Sequence, residues 1–464
     1  MTEDPAAPRP SHARRGSLQQ GRSGTSPPGG QLPADPVEPG EVAEPAPVPR
    51  RRGWALDTSP LRNPGYRRLF WGLTSTMVGQ QMTLVAVPVQ VYAITRDSLL
   101  VGVTSMVSLV PLVVFGLLGG AIADAMDRRR LMLVTGVGSA VTSALLALQA
   151  LLPGGGSLWL LWALVAAVSG FTAVNQPARS AVIPALVGPE GVAAANALAM
   201  TVRQVGVIVG PLVAGLLIGL GDLFVAYAVD AATLLVAVLL VRGLPPLPPG
   251  GNTGPLRLGA AVRGVGEGFT FLRTQPVLLM TFVVDVVAML FAWPQAVFPE
   301  LAADRYAGSA NAYGWLFAGI SIGALLMGLT SGWVSRVDRQ GAVVLAAIVV
   351  WGVAIIGFGL AQSLWMAVFF LAVAGAGDMV SAVLRSSMLQ TAAPDEMRGR
   401  MQGVFIVVVA GGPRLGDLRA GAVASAAGVG VAMVSGGVVV VVAMAVVALL
   451  VPSFRLFRAS RAGA

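Results

Sequence analysis

The stretch LVGVTSMVSLVPLVVFGLLGGAIADAMDRRRLMLVTGVGSAVTSALLALQALL, residues 100–152, decides the fold class of this protein. It contains two apolar runs, 100–123 and 131–152, separated by a short turn that ends in Arg128, Arg129 and Arg130. A helix needs about 20 residues to cross about 30 Å of hydrocarbon, and each run is that long. The stretch therefore predicts a hairpin of two transmembrane helices whose turn is held at one membrane surface by arginines.

The same pattern continues along the chain. Ten-residue segments of alternating polar and apolar residues, typical of membrane β-barrels, are absent, so helices are the expected spanning form. We predict an all-α integral membrane protein with twelve transmembrane helices, numbered spans 1 to 12, at 69–94, 100–123, 131–152, 158–176, 197–219, 223–241, 276–298, 312–334, 342–361, 364–384, 402–426 and 428–451.

The composition agrees with a membrane protein and excludes several other classes. The chain of 464 residues is 55% hydrophobic and 11% charged, with a mean hydropathy of +0.76, whereas soluble proteins are about one-quarter charged. Its net charge of +9 would suit nucleic acid, but the arginines are scattered between apolar runs, so we expect the lipid bilayer and no nucleic acid as partner. The chain has no cysteine and no lysine, and its one histidine, His12, lies in the Pro- and Gly-rich start. We therefore expect no metal site, no cofactor and no enzymatic activity.

Arginine counting predicts the orientation. If both termini are cytoplasmic, the inner loops hold twelve arginines and the outer loops hold only Arg96 and Arg305. This bias predicts a multi-pass protein of the cytoplasmic (inner) membrane with both termini inside, and we expect a monomer. The predicted parts are a disordered tail (1–64), a six-helix N-terminal half (65–241), a cytoplasmic linker (242–275), a six-helix C-terminal half (276–452) and a short tail (453–464).

The two predicted halves repeat each other. Gly120 and Asp127 after span 2 recur as Gly332 and Asp338 after span 8, at offsets of 212 and 211 residues. Arg179 after span 4 recurs as Arg385, and Gly215 in span 5 recurs as Gly421, at offsets near 205. Duplicated six-helix halves with an inner linker are typical of transporters that rock about a site at the membrane midplane.

The loop between spans 2 and 3 carries a glycine, an aspartate and trailing arginines. It resembles the signature of the major facilitator superfamily in this loop, although Ala125 replaces the usual basic residue and Asp127 stands where glycine is common. The resemblance implies the major facilitator fold and an inner gate that favours an outward-facing state. The alternative is a basic loop that only sets the topology. The gate residues would be Gly120, Asp124, Asp127, Arg128 and Arg129, with Gly332, Asp338 and Arg339 in the repeat.

A second motif lies in span 5, where Gly206, Gly210, Pro211 and Gly215 follow at helical spacing. Glycines four or five residues apart form a flat face for close helix packing. The motif resembles the Gly-Pro motif of the antiporter branch of the superfamily, which implies export. A generic small-residue contact is the alternative.

Longer strings resemble the enterobactin (siderophore) exporter family. They are VAVPVQ at 85–90, FPELAAD at 298–304, GAL at 323–325 with LTSG at 329–332, and MLQTAAPDEMRGR at 388–400. The resemblance implies proton-driven export of a siderophore or a similarly bulky amphipathic molecule. Multidrug or antibiotic efflux is the alternative because drug exporters are close relatives, and a non-transport membrane protein is a remote one.

Acidic residues inside spans are the candidates for proton coupling, since a charge at the bilayer centre is costly and normally faces a cavity. Asp285 leads, because it lies near mid-depth in span 7 with no basic residue in its own span. An unpaired carboxylate there would bind and release a proton. Asp230, which could pair with an arginine of another span, and Asp378 follow. The alternative for Asp285 is a hydrogen-bonded aspartate that bridges helices.

Other polar residues are candidates for a substrate cavity. Arg203 in span 5 could bind an anionic substrate or reach the membrane surface with its long side chain. Arg414 and Asp417 in span 11 are three residues apart and could form an ion pair on one helix face. In span 1 the candidates are Gln81 and Gln90.

Overall fold

The computed structural model describes residues 57–220, 223–248, 258–307, 311–392 and 398–458, and these ranges contain no β-strand. Asparagine and aspartate side chains start the first three helices: Asn63 accepts from the Gly65 N–H at 2.8 Å, Asp97 from Leu99 and Asp127 from Arg130. Such caps satisfy N–H groups that have no partner within the helix. The principal helices are α1 Pro64–Thr95, α2 Ser98–Ala125, α3 Arg128–Ala150, α4 Leu158–Gly219, α5 Leu223–Arg242, α6 Leu258–Thr274, α7 Pro276–Ala292, α8 Ala312–Leu329, α9 Gln340–Leu360, α10 Leu364–Ala392, α11 Arg398–Ala427 and α12 Val429–Leu450.

Helix α4 contains spans 4 and 5, which the sequence predicted as separate segments. It is 62 residues long, and Gly188 (φ 69°, ψ 171°) breaks its helical path. A positive φ is readily adopted only by glycine, and Pro189 then restarts the helix with the φ that a first turn needs. We call the parts before and after Gly188 the first and second arms of α4.

The prediction of twelve transmembrane helices is confirmed. Ten helical stretches in the described ranges are long and apolar enough to cross a membrane, with α4 counted once. The two arms of α4 make two crossings. Helix α11 completes the set: Arg414, Asp417 and Arg419 interrupt its apolar character, but it has 30 residues and matches span 11. The protein is an all-α membrane protein of two six-helix halves, with α6 between them. The exact division of the chain into tails, halves and linker stays a prediction.

Span 7 is not one continuous helix as the sequence pattern predicted. Helix α7 ends at Ala292, and after Trp293 and Pro294 the chain continues in short helical turns as far as Arg305. Proline lacks an N–H group and clashes with the preceding turn, so it interrupts a helix. Irregular backbone at membrane depth needs a partner inside the protein. The Ala296 N–H finds one in Asp417 Oδ1 of α11, at 2.9 Å.

The two halves meet along two helix pairs. Helix α2 packs against α11, and the second arm of α4 packs against α8. The start of the linker is fixed to the N-terminal half: the Leu247 N–H donates to Asp127 Oδ2 at 2.9 Å, and the Arg128 N–H donates to the Leu247 carbonyl at 3.0 Å.

Candidate functional site

Hydrogen bonds between the halves concentrate at one end of the helix bundle. We call this the far end, where residues 96–97 join α1 to α2. The opposite, linker end is where residues 126–127 join α2 to α3. At the far end Ser98 Oγ donates to Glu300 Oε2 at 2.5 Å, and the Tyr92 hydroxyl donates to Asp304 Oδ2 at 2.6 Å. The Ser98 side chain is buried, so this contact is part of a closed interface.

Glycines bring the halves into backbone contact near the far end. A Cβ atom at Gly215 would overlap with the backbone of Gly314 in α8, and one at Gly421 would overlap with the backbone of Ser98. Toward the linker end, a Cβ atom at Gly116 or Gly332 would meet no described atom within 4 Å. The halves are therefore close together at the far end and further apart toward the linker end.

The space between the halves forms two adjoining cavities of about 280 and 410 Å³, which share Leu112 and Thr172 in their lining. We call them together the central cavity. Side chains of α2, the first arm of α4 and α11 line the larger part, and most are apolar. The smaller part carries most of the polar groups, among them Gln81, Thr83, Asp230 and Arg414. A cavity whose wall is mostly apolar and which also holds polar side chains is typical of small-molecule sites.

A third cavity, of about 210 Å³, contains an ion-pair cluster on the C-terminal side. Arg385 Nη1 of α10 lies 2.8 Å from Asp285 Oδ2, and its Nη2 lies 3.9 Å from Asp378 Oδ1. The prediction that Asp285 is unpaired was wrong, because its partner comes from another span. Arg385 follows Asp378 by seven residues, so both lie on one face of α10. That spacing could have revealed the pair of Asp378 and Arg385 from the sequence, but not the contact with Asp285.

Asp230 has the environment that the sequence had predicted for Asp285. Its carboxylate is buried and accepts hydrogen bonds on Oδ2 from Thr83 at 2.6 Å and from Ser143 at 2.7 Å. Its Oδ1 atom is buried without a hydrogen-bond partner. The expected arginine partner of Asp230 is not found among the described residues. Two hydroxyl groups thus hold a carboxylate at the wall of the central cavity, and no described residue supplies a countercharge.

The predicted ion pair between Arg414 and Asp417 is not formed. Asp417 is buried and accepts from Ser105 Oγ of α2 at 2.7 Å, besides the Ala296 N–H. Arg414 donates to Ser108 Oγ at 3.2 Å and to its own Ala410 carbonyl at 2.8 Å. Competing partners on other helices draw the two side chains apart. Asp417 joins the two halves, and Arg414 lines the central cavity.

The remaining predicted cavity residues separate into two groups. Gln81 lines the central cavity. Gln90 does not, because it is fully buried, accepts from the Tyr227 hydroxyl at 2.7 Å and donates to the Gly155 carbonyl at 2.8 Å. Arg203 is exposed and does not line the cavities described above. Gln90 is therefore part of the packed core, because the rotation of each helix decides what a residue faces. The assignment of Arg203 to the substrate cavity stays a prediction.

Residues of the two predicted motifs lie as follows. Gly206 and Gly210 face Met77 and Gln81 of α1, Pro211 is buried within α4, and Gly215 faces α8. The Arg129 guanidinium donates to the Arg242 carbonyl at 2.6 Å, next to the linker. In the other half, Gly332 lies in the turn Ser331–Arg336, and Arg339 immediately precedes α9. Asp338 stands between them. The surroundings of Gly120 and the side chain of Asp124 lie outside what the structure describes, so the inner-gate function stays a prediction.

Comparison with known proteins identifies the family. A family model described as "Transmembrane secretion effector" matches residues 55–460. The chain is 30% identical over 356 residues to enterobactin exporter EntS of Shigella boydii serotype 4 (strain Sb227), covering 76% of this chain and 84% of that protein. Enterobactin exporter EntS of Escherichia coli O1:K1 / APEC matches with the same identity and coverage.

Solved structures share the fold. A bacterial homolog of the human lysosomal transporter Spinster, solved in an inward-facing and unoccupied conformation, has a TM-score of 0.66 at 18% identity and covers 87% of this chain and 100% of that one. Peptide transporter POT in complex with sulfate has a TM-score of 0.67 at 14% identity, over 85% and 96% of the two chains. The chain therefore belongs to the transmembrane secretion effector family, and it is a multi-pass membrane efflux transporter of the major facilitator superfamily, not an enzyme.

Proposed function

We propose that this transporter exports a siderophore, or a similarly bulky amphipathic small molecule, across the cytoplasmic membrane in exchange for protons. The observation that carries the proposal is the central cavity, which is apolar over most of its lining and has Asp230 as the one acid at its wall among the described residues. The printed names of the enterobactin exporters support the substrate class.

Transport proceeds by alternating access. The far end is closed by a small number of side-chain hydrogen bonds and by glycine contacts, which a rocking motion of the halves can break and restore without unfolding a helix. Both termini are cytoplasmic, so the far end is the outer end and the central cavity faces the cytoplasm. The unit that works is the monomer.

Asp230 carries the proton. A charge without a countercharge inside the membrane costs several kcal/mol, and proton binding removes that cost. Access of water from the other side stabilises the charged form and releases the proton. Asp285 and Asp378 form the second candidate site, because two carboxylates share the single cation of Arg385 and one excess negative charge remains.

One proton per cycle is enough for useful export. A membrane potential of about 100 mV supplies about 2.3 kcal/mol per proton, which sustains a gradient of roughly 50-fold.

The test uses purified protein in proteoliposomes with an imposed pH gradient, enterobactin as substrate and a pH-sensitive dye inside. We expect enterobactin movement coupled to opposite proton movement. Asp230→Asn should abolish uphill transport and keep downhill exchange, because asparagine retains shape and hydrogen bonding but carries no proton. Asp97→Asn is the matched control, since asparagine caps a helix as well as aspartate does.

Uphill transport by Asp230→Asn at the wild-type rate would move the proton site to Asp285 and Asp378, and normal transport by all three asparagine variants would refute proton coupling by these acids.

Ethidium tested in place of enterobactin separates multidrug efflux from siderophore export. Asp124→Asn tests the inner gate: loss of transport at normal membrane expression supports it, and normal transport leaves only a topology signal.

A further inference from the structure

A separate small cavity lies inside the N-terminal half, among α1, α3, α4 and α5. Its volume is about 50 Å³, and polar side chains in its lining include Thr76, Gln80, Thr172 and Arg179. A water molecule needs about 10–15 Å³ on this measure, so the space fits a few waters or one small polar group. Thr172 also lines both parts of the central cavity. We call this cavity the Arg179 chamber, and it adjoins the central cavity at Thr172.

Among the residues that the structure describes, the cation in the chamber has one hydrogen-bond partner, and this partner is neutral. Arg179 Nη2 donates to Thr76 Oγ1 at 3.1 Å, and its Nε is buried without a hydrogen-bond partner. Among the described side chains no acid forms an ion pair with Arg179.

The internal repeat allows the surroundings of Arg179 to be compared with those of the corresponding arginine in the C-terminal half. Arg179 corresponds to Arg385 at an offset of 206 residues, and Thr172 corresponds to Asp378 at the same offset. Thr76, which touches Arg179, stands 209 residues before Asp285, which touches Arg385. These offsets fall in the range that relates the two halves. Arg385 of the C-terminal half has two carboxylates at the positions where Arg179 of the N-terminal half has two threonines.

The two clusters therefore differ in formal charge. One cation and two carboxylates give the C-terminal cluster a charge of −1, while one cation and two hydroxyls leave the Arg179 chamber at +1. Arginine offers its N–H donors in a fixed fork that matches a carboxylate or phosphate group. Arg179 is half-buried and has no acidic partner among the described residues. Such a cation is costly inside a membrane, and an anionic group that enters the chamber would reduce that cost.

We infer that the Arg179 chamber binds the negatively charged group of the transported molecule, and that the substrate is an amphipathic organic anion. Its acidic group contacts Arg179 and the hydroxyls of Thr76 and Thr172, while its apolar body occupies the central cavity. Leu112, Val113 and Ala173 offer the apolar surface next to Thr172. This inference rests on the proposed export function, because it names the substrate class of the same cavity.

The test compares two probes of equal shape, 2-naphthoate and the neutral 2-naphthamide, by equilibrium binding to the purified full-length protein in lipid nanodiscs. Charge-assisted hydrogen bonds contribute enough to predict a loss of about ten-fold to hundred-fold in naphthoate affinity for Arg179→Gln. Thr76→Asp and Thr172→Asp each rebuild part of the C-terminal arrangement in the chamber, and each should weaken naphthoate to a similar extent. Naphthamide affinity should change by less than about three-fold.

Three comparisons make the test specific. Arg455→Gln removes an equal charge from an exposed position in the C-terminal half and should leave naphthoate affinity within about three-fold of wild type. Arg179→Lys should recover part of the loss, because it keeps the charge but not the fork. The two aspartate variants lie on different helices, so if one of them fails to fold, the other still tests the inference. Each variant is checked for a monodisperse elution profile.

Equal naphthoate affinity in wild type and Arg179→Gln would overturn the inference, as would an equal fall in the affinity for both probes. The binding test needs no proton gradient. A protein that prefers naphthoate through Arg179 but moves no protons would refute the coupling proposed above and leave this inference standing, and the reverse result would refute only the inference.

Discussion

Replacement of Arg385 by glutamine should destabilise the protein far more than replacement of either of its acidic partners. Arg385 and Asp285 are 9% and 7% exposed in their side chains, with 2.8 Å between Nη1 and Oδ2, so the pair is buried. Removal of one partner from a buried ion pair typically costs about 3–5 kcal/mol, because the other charge remains without compensation.

The arrangement of the cluster makes the loss of the arginine more destabilising than the loss of one acid. Arg385→Gln leaves both Asp285 and Asp378 without a countercharge, so we expect a loss at or above about 3–5 kcal/mol. Asp285→Asn leaves Arg385 beside Asp378, whose Oδ1 atom already lies 3.9 Å from Nη2, and the remaining charges balance. The loss for Asp285→Asn should therefore be much smaller.

The assay is thermal unfolding of the purified protein in detergent, followed by the fraction that stays monodisperse. The double variant Arg385→Gln/Asp285→Asn should recover part of the stability that Arg385→Gln loses, because it removes one of the two charges that lack compensation. Equal midpoints for Arg385→Gln and Asp285→Asn would refute the assignment of the cluster as one buried charge network.

Two further predictions concern the interface between the halves and the core of the N-terminal half. Gly215→Ala should weaken closure at the far end, because the new methyl group overlaps with the backbone of Gly314. Since the chain has no cysteine of its own, a single cysteine placed at Ser180 reports how accessible the central cavity is. Its maleimide labelling should slow several-fold in Gly215→Ala, and an unchanged labelling rate would show that the contact is dispensable. Gln90→Leu should lower the unfolding midpoint, because it leaves the Tyr227 hydroxyl and the Gly155 carbonyl without partners. Each unpaired group should cost about 1–3 kcal/mol of stability, while substrate affinity stays unchanged. An unaltered midpoint would contradict this structural function of Gln90.

The sequence by itself determined the number of crossings, the repeat of two halves and the exclusion of enzyme chemistry. These properties follow from segment length, hydropathy and residue type, which the bilayer constrains without regard to how helices pack. The sequence also predicted that a buried acid would face the cavity, but it selected Asp285. Hydropathy cannot show that Arg385, one hundred residues later, reaches that carboxylate.

Only the tertiary structure decided which polar groups meet. It paired Asp417 with the free N–H that the break in span 7 leaves at Ala296, and not with its sequence neighbour Arg414. It turned Gln90 into the core and Gln81 toward the cavity, although both lie on α1. It also brought Arg179 to Thr76 and Arg385 to Asp285, so that of two arginines related by the repeat one has a neutral partner and the other an acidic partner. The physical reason is that a polar group inside a membrane must find its partner within the protein, and the rotation and packing of twelve helices decide which partner is in reach.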